Sequence, residues 1–407
     1  MLGDLLKEAG ISSNSFKSSK KNKEKQHKTQ LPKKIKEQNN IASNTKLKKE
    51  GVVKLKLTAI SPIHIGSGEV YEPTNFVIDK NILYHFRDED FFMALDKNQQ
   101  DNFMRIILEK RSDSFSRINK FVKNNIEIAK KVSFLTVKTT DGIQKEYNNK
   151  IGKISQIEGH RGNYTNVFNK FEIQRIQRKQ LKSKDKYVYM GYIPGSSLKG
   201  AISTAYREFV YKTEGKTNLY KNFEDNRNIQ NHIFGNLKVS DSKVTKIGTT
   251  IGYACNKERF EDDDSGMATF IEIIDTNSEF IIDVNYKDLD IKQILNSCNE
   301  HYLAIFKSIF SSNTNGKEEF INEYLTDDFY DKYKDFNLKE NQYLIRVGKH
   351  SGARAVTIDG LRDISIKESK YRTLQHQKEE TTTWLFGEDK NSVQNLLPFG
   401  WLLCEIL

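Results

Sequence analysis

At 407 residues, with 37% hydrophobic and 11% aromatic side chains, the chain can bury a core of two-domain size, which excludes a protein disordered throughout. No apolar run approaches the ~18 residues that cross a bilayer, and the N-terminus lacks the apolar stretch of a signal peptide, so a cytoplasmic protein is expected. The formal charge of +11 is concentrated at one end: residues 1–50 hold 13 lysines against 5 acids, a net +8, which leaves +3 for residues 51–407.

That first segment, "SFKSSKKNKEKQHKTQLPKKIKEQNNIASNTKLKKE" after a short "MLGDLLKEAGI", is rich in Lys, Ser, Asn and Gln and almost free of aromatics. It cannot bury enough surface to fold alone and reads as a disordered tail, 1–50, that either attracts a polyanion loosely or simply keeps the protein soluble. Folded structure is expected from "GVVKLKLTAISPIHIGSG", where Val53, Leu55, Leu57 and Ala59 alternate with Lys54, Lys56 and Thr58. This period of two marks a strand with one buried face, and its outward residues are cationic rather than aromatic.

Short strands "TNFVID" and "NILYHF" follow, then a helical region over 88–129 and a polar, basic stretch over 130–164 that reads as a long excursion between elements. "KFEIQRIQRK" and "KYVYMGYIP" read as a hairpin. Its arm, "QRIQRKQLKSKDK" at 174–186, is the densest basic run of the folded part and includes Arg178. It either grips RNA or a neighbouring subunit, or is an exposed charged turn.

The hairpin leads into "YIPGSSLKGAISTAYREF", 192–209. Pro194 forces Ile193 to be extended and Gly195 is free to adopt positive φ, so the strand stops and a helix begins. Leu198, Ile202, Ala205 and Phe209 recur on one stripe, while Lys199, Arg207 and Lys212 lie off it. The first four N–H groups of such a helix have no partner within it, so an anion is expected at its mouth.

Beyond "IFGNLKVSDS" come "TTIGYACNK", an expected hairpin "ATFIEIIDTNSEFIIDV", and a long helix with Ile291, Ile294, Leu295, Cys298, Tyr302, Ile305, Phe306 and Ile309 on one face. A second helical segment covers 317–336. The chain closes with "YLIRVGKHSG", "TWLFGED" and "NLLPFGWLLCEIL", the last a core strand entered through a Pro-Phe-Gly turn. Interleaved strands and helices with several hairpins predict an α+β fold of split βαβ modules, not a doubly wound parallel sheet. The expected division is a first module over 51–245 and a second over 246–407.

Three strand-like segments end in small glycine loops with a basic residue: "IHIGSG" (63–68), "IPGSSLKG" (193–200) and "RVGKHSG" (346–352). One would be an ordinary turn; three suggest a repeated task, since glycine admits a second backbone and serine hydroxyls, free amides and lysine suit phosphate oxygens. A nucleotide P-loop is excluded, because Lys199 precedes Gly200 and Ala201 stands where a magnesium-binding hydroxyl is required.

Cys255, Cys298 and Cys404 are odd in number and lack C-x-x-C spacing, so they read as buried free thiols and neither zinc nor a disulfide framework is supported. Glu261, Asp262, Asp263 and Asp264 are consecutive and cannot all face one ion; a solvated loop is expected. Metal-independent RNA cleavage would need a base and a cation, for which His64, His350, Lys349 and Tyr343 are the residues to examine.

"YIPGSSLKGAI" followed by "IFG" and "VSDS", with "LTAISPIHIGSG" before and "TTWLFG…LLPFGWLL" after, resembles the RAMP superfamily of CRISPR effector proteins, and within it the fifth Csm subunits of type III-A complexes. The resemblance runs in order through about 51–407. It implies two ferredoxin-like, RRM-like modules with insertions, holding CRISPR RNA (crRNA) by their glycine loops, with other Csm subunits of the RAMP backbone as neighbours.

It also implies a subunit at the 3′ side of the guide, needed for trimming of the guide intermediate by a recruited cellular ribonuclease, with no catalytic residue, cofactor or metal of its own. The RNA-facing candidates that it implies are His64, Gly66, Ser67 and Gly68, then Gly195, Ser196, Ser197, Lys199 and Gly200, and less tightly Arg346, Lys349, Ser351 and Gly352. A RAMP-type endoribonuclease and a module that recruits a nuclease through its tail are the alternatives. Outward Lys54, Lys56 and Thr58, in place of sheet aromatics, predict contact with sugar and phosphate regardless of sequence.

Overall fold

The computed structural model describes residues 50–407 except 110, 112, 161–162, 169–170, 184–185, 224–232, 262–265, 315 and 368–373. The lysine-rich tail, Lys184 of the basic run, and Asp262, Asp263 and Asp264 of the acidic run lie outside the described residues.

The first strand, Glu50–Ala59, buries Leu55, Leu57 and Ala59 completely, as its alternation requires. It lies at the centre of a six-stranded sheet, antiparallel to Glu279–Lys287 on one side and to Trp401–Ile406 on the other. Leu237–Val239 extends the first side and Gln342–Arg346 the second.

Helices Gly195–Phe223 and Ile291–Ser308 cover the inner face. Leu198, Ile202 and Ala205 of one and Ile294, Cys298, Tyr302 and Phe306 of the other join a single apolar core with the sheet. Taking Glu50–Ala59, Leu237–Val239, Glu279–Lys287 and Trp401–Ile406 as strands one to four gives the order 2-3-1-4 with two crossover helices, the ferredoxin-like arrangement.

The outer face of this sheet is charge-balanced. Lys56 Nζ lies 3.0 Å from Glu279 and Lys243 Nζ 3.5 Å from Asp283, the register partner of Lys54. The outward lysines that were expected to meet a polyanion therefore sit among carboxylates.

A second sheet of nine strands is built around Thr249–Glu258, antiparallel to Ala268–Ile274. The opposite edge of Thr249–Glu258 is shared: its first residues pair in parallel with Leu135–Thr139, and 253–258 pair with Thr382–Gly387. Beneath it Tyr71, Phe76, Tyr147 and Phe171 form an aromatic core closed by the helix Asp141–Lys150. The helices Asp88–Ala94, Lys97–Leu108, Ser114–Asn124 and Ile126–Val132 make a satellite cluster around Phe91, Phe103 and Phe121. The second of these starts at Asp96, whose carboxylate and the Gln99 side chain exchange hydrogen bonds with each other's backbone amides.

Four expectations are corrected. The stretch 130–164 is not an excursion: it holds Leu135–Thr139, Asp141–Lys150 and Ile154–His160. Its lysines solvate the outer side of a helix anchored by Ile143 and Tyr147 alone, too sparse a stripe to read. "ATFIEIIDTNSEFIIDV" is not a hairpin, because Ala268–Ile274 and Glu279–Lys287 belong to different sheets and Asn277, at φ 61, turns the chain between them.

In the basic hairpin, Arg178–Ser183 pairs with Lys186–Gly191, whereas Ile173–Ile176 joins the second sheet. Gly195 does not use positive φ; it is glycine for a different reason, given below. The first sheet joins segments from both sides of residue 245, since Glu50–Ala59 pairs with Glu279–Lys287 and with Trp401–Ile406. The three cysteines are buried and free.

Candidate nucleic-acid interface

The glycine loops at 63–68 and 346–352 lie against each other although almost 300 residues separate them. Lys349 N donates to the His64 carbonyl at 2.8 Å and Gly400 N to the Pro62 carbonyl at 2.8 Å. Gly348, at φ +87, must be glycine: a Cβ would stand 2.4 Å from the His64 carbonyl oxygen. The strand Ile173–Ile176 closes the other flank, with Gln177 N donating to the Ile65 carbonyl at 2.7 Å and Lys349 Nζ to Gln174 Oε1 at 2.5 Å.

The third loop joins through the base of the basic hairpin. Tyr192 N donates to the Gln177 carbonyl at 3.4 Å, and Lys179 Nζ lies 3.3 Å from Asp241, whose other oxygen accepts from Gly195 N at 2.9 Å. All three predicted loops thus meet along the seam between the two sheets. Exposed there are Gly66, Gly68, Ser196, Gly200, Lys349 and Gly352, with Ser67 and Ser197 half-buried; no atom outside the local chain lies within 4 Å of where a Cβ on Gly68 or Gly200 would stand.

Other predicted residues turn inward. His64 is only 1% exposed, and its Nδ1 donates to the Glu272 carbonyl at 2.6 Å. Burial, with Lys349 nearby, brings its pKa down to about 4, so it is neutral and cannot serve as a counter-charge to phosphate. Arg178 forms a buried ion pair with Glu272 and donates to the Tyr189 carbonyl at 3.0 Å. Arg346 is buried over the Trp401 ring and donates to the Phe399 carbonyl at 2.9 Å; burial lowers its pKa to about 10, still charged at neutral pH. Ser351 is spent on the Gly348 carbonyl.

Lys199 donates from Nζ to the Phe234 carbonyl at 2.7 Å and staples the helix to the turn Ile233–Asn236, so the "SLKG" and "IFG" motifs are one joint. Gly195 is glycine because a Cβ would stand 2.2 Å from the Val239 carbonyl oxygen. Of the 13 residues that the resemblance implies, His64, Lys199, Arg346 and Ser351 are therefore committed to holding the seam, as is Arg178 of the basic run. Hydrogen-bonding groups within a chain's interior must be paired, and an argument from motif alone cannot tell a lysine that reaches a ligand from one that reaches a carbonyl.

Of the residues considered for RNA cleavage, Lys349 is exposed, His350 is half-buried, and His64 and Tyr343 are buried. His350, at φ 66, packs against Trp384 and Phe399 at 4.5 and 5.1 Å, and burial lowers its pKa to about 3. Tyr343 is 4% exposed, with its hydroxyl pKa raised by burial. No group of three His, Cys, Asp or Glu among the described residues could hold a metal ion, and no described helix is long and apolar enough to cross a membrane.

Two residues at the centre of the seam were missed. Glu272, fully buried, gathers Arg178, the Tyr71 hydroxyl at 3.1 Å and the Ile176 amide at 3.1 Å. Its signal was a lone acid inside the apolar run "FIEII". Asp241 answers the question of the anion at the helix mouth, and its signal was the Ser-Asp-Ser of "VSDS", side chains that cap free amides.

Comparison with known proteins adds the family. The chain is 27% identical over 211 residues to a Streptococcus thermophilus protein described as "CRISPR system Cms protein Csm5"; the match covers 47% of this chain and about half, 51%, of that relative. A chain of the cryo-EM structure of a Csm-crRNA-target RNA ternary complex of a type III-A CRISPR-Cas system superposes with TM-score 0.53 at 16% identity, covering 87% of this chain and 100% of that one. The crystal structure of T. onnurineus Csm5 gives TM-score 0.46 at 15% identity, covering 86% of this chain and 99% of that one. With the family model described as the RAMP superfamily matching residues 56–399, on an α+β fold whose first sheet has the ferredoxin-like order, the chain belongs to the RAMP superfamily.

Proposed function

We propose that this chain is a non-catalytic RNA-binding subunit of a type III-A CRISPR (Csm) ribonucleoprotein. It caps the 3′ side of the crRNA beside the backbone RAMP subunits and is needed for maturation of the crRNA intermediate, whose end a recruited cellular ribonuclease trims. The observation that carries the reading is the convergence of three glycine loops, from distant parts of the chain, on one seam. Their exposed tips at Gly68, Ser196 and Gly200 offer backbone, with open space where a Cβ on Gly68 or Gly200 would stand; Gly66 and Gly352 are exposed beside the His64 and Glu380 side chains, and Lys349 adds charge.

Such tips suit sugar and phosphate. The first sheet supports this sense of contact, since its outer face carries ion pairs instead of aromatic rings and offers no platform for stacking bases. A scaffold of this kind serves guides of any sequence.

The test is the length distribution of guide RNA in Csm complexes assembled with and without this chain. Guides that stay at the longer intermediate length in its absence support the reading, and identical distributions overturn the maturation role.

A further inference from the structure

The mouth of the helix Gly195–Phe223 already holds an anion, and it belongs to the protein. Asp241 Oδ1 accepts from Gly195 N at 2.9 Å and Oδ2 lies 3.3 Å from Lys179 Nζ. The backbone beneath is fixed, because Ser242 exchanges two hydrogen bonds with Ile193: Oγ accepts from Ile193 N at 2.9 Å, and Ser242 N donates to the Ile193 carbonyl at 3.0 Å. The carboxylate itself stays at the surface, with 50% of the Asp241 side chain exposed.

The bond from Gly195 N, and then Lys179, hold the Asp241 carboxyl below the usual range, so it is ionised at neutral pH. Lys199, the cation expected at this corner, is turned to the Phe234 carbonyl instead. The charge that faces the mouth is that of Lys179, which also lies over the Tyr192 ring at 4.2 Å.

We propose that Asp241 is a built-in competitor for guide phosphate. Its carboxylate occupies the Gly195 amide and the Lys179 ammonium, and a phosphodiester engages this corner only by displacing it. Carboxylate and phosphodiester oxygens are both anionic acceptors for the same N–H groups, and two of them cannot share one amide without strong repulsion. At the corner formed by the 63–68 and 346–352 loops the Glu380 carboxylate likewise accepts from a first-turn amide, Arg354 N at 3.1 Å, but it is paired with the Arg354 side chain at 3.2 Å, and Lys349 there is exposed. The inference rests on the RNA-binding reading above.

Asp241→Asn in the full chain is the test, because asparagine keeps an oxygen for the Gly195 amide, removes the charge and releases Lys179. The probe is a labelled single-stranded RNA of about 30 nucleotides, followed by fluorescence anisotropy over a range of salt concentrations. The variant is expected to bind roughly two- to fivefold tighter near about 0.1 M salt, the range of one exposed ion pair. Its log–log salt slope should steepen by about 0.7, one added phosphate contact.

Adding Lys179→Met should return both quantities to the wild-type values. Wild-type protein that binds RNA while Asp241→Asn binds no more tightly overturns the competitor, and Asp241→Ser, which also caps, decides the case if the asparagine variant is unstable. Failure of every form, wild type included, to bind RNA overturns the RNA-binding reading itself.

Discussion

Glu272→Gln should destabilise the seam more than any surface change in the molecule. Glutamine has nearly the same shape, so no cavity opens, but the charge that balances Arg178 disappears, and the Arg178 side chain is only 8% exposed. An ion left buried without its partner costs about 3–5 kcal/mol. The Tyr71 hydroxyl and Ile176 amide, both 3.1 Å from Glu272 Oε2, must share whatever acceptor remains. At about 2–4 °C per kcal/mol for a domain of this order, the melting temperature should fall by at least about 6 °C.

Thermal unfolding followed by circular dichroism measures it. The double variant Glu272→Met, Arg178→Met should recover more than half of the loss, because a buried pair replaced by apolar side chains leaves no stranded charge. A single variant melting within about 1 °C of wild type, or a double variant no better than the single, would refute the reasoning.

Stability should fall on acidification below about pH 6.5, the pKa of a free imidazole. Burial lowers His64 to about 4 and His85 and His350 to about 3, so each takes its proton only on unfolding in that window; Asp88 and Asp275, raised by burial, oppose the trend. The net expectation is a loss of at least about 1 kcal/mol per pH unit between pH 6.5 and 5, and a melting temperature flat across that range would contradict it. Gly195→Ala should cost about 1–3 kcal/mol by pushing the helix off the Val239 and Ser240 carbonyls, at 2.2 and 2.6 Å from the added Cβ. Gly68→Ala, with open space around it, should cost only the left-handed backbone strain of about 1 kcal/mol; urea titration of the two variants compares them directly.

Much of the fold was legible because it is written in local periodicity. The alternation around Leu55 and Leu57 and the helical stripes of Leu198 and Tyr302 each report one buried face, and a buried face needs no knowledge of its partner to be recognised. Trp401–Ile406 was legible in another way, as an apolar run entered through a Pro-Phe-Gly turn. What the periodicity does not carry is the identity of that partner. "IIDTNSEF" looks like any hairpin turn, and only strand pairing 223 residues away, between Leu57 and Phe280, sends its second half into another sheet.

The candidate site divides along the same line. The glycine loops stood out by composition, as short runs rich in Gly and Ser at strand ends, and three such runs implied a shared purpose. Which of their side chains face outward depended on what the opposite side of the seam offered: a carbonyl of Phe234 for Lys199, of Phe399 for Arg346, a carboxylate of Glu272 for Arg178 and of Asp241 for the Gly195 amide. Residue type settles what a group is able to bond, while burial and the nearest complementary group settle what it does bond. The second is a property of distance in three dimensions, to which the order of residues along the chain gives no direct access.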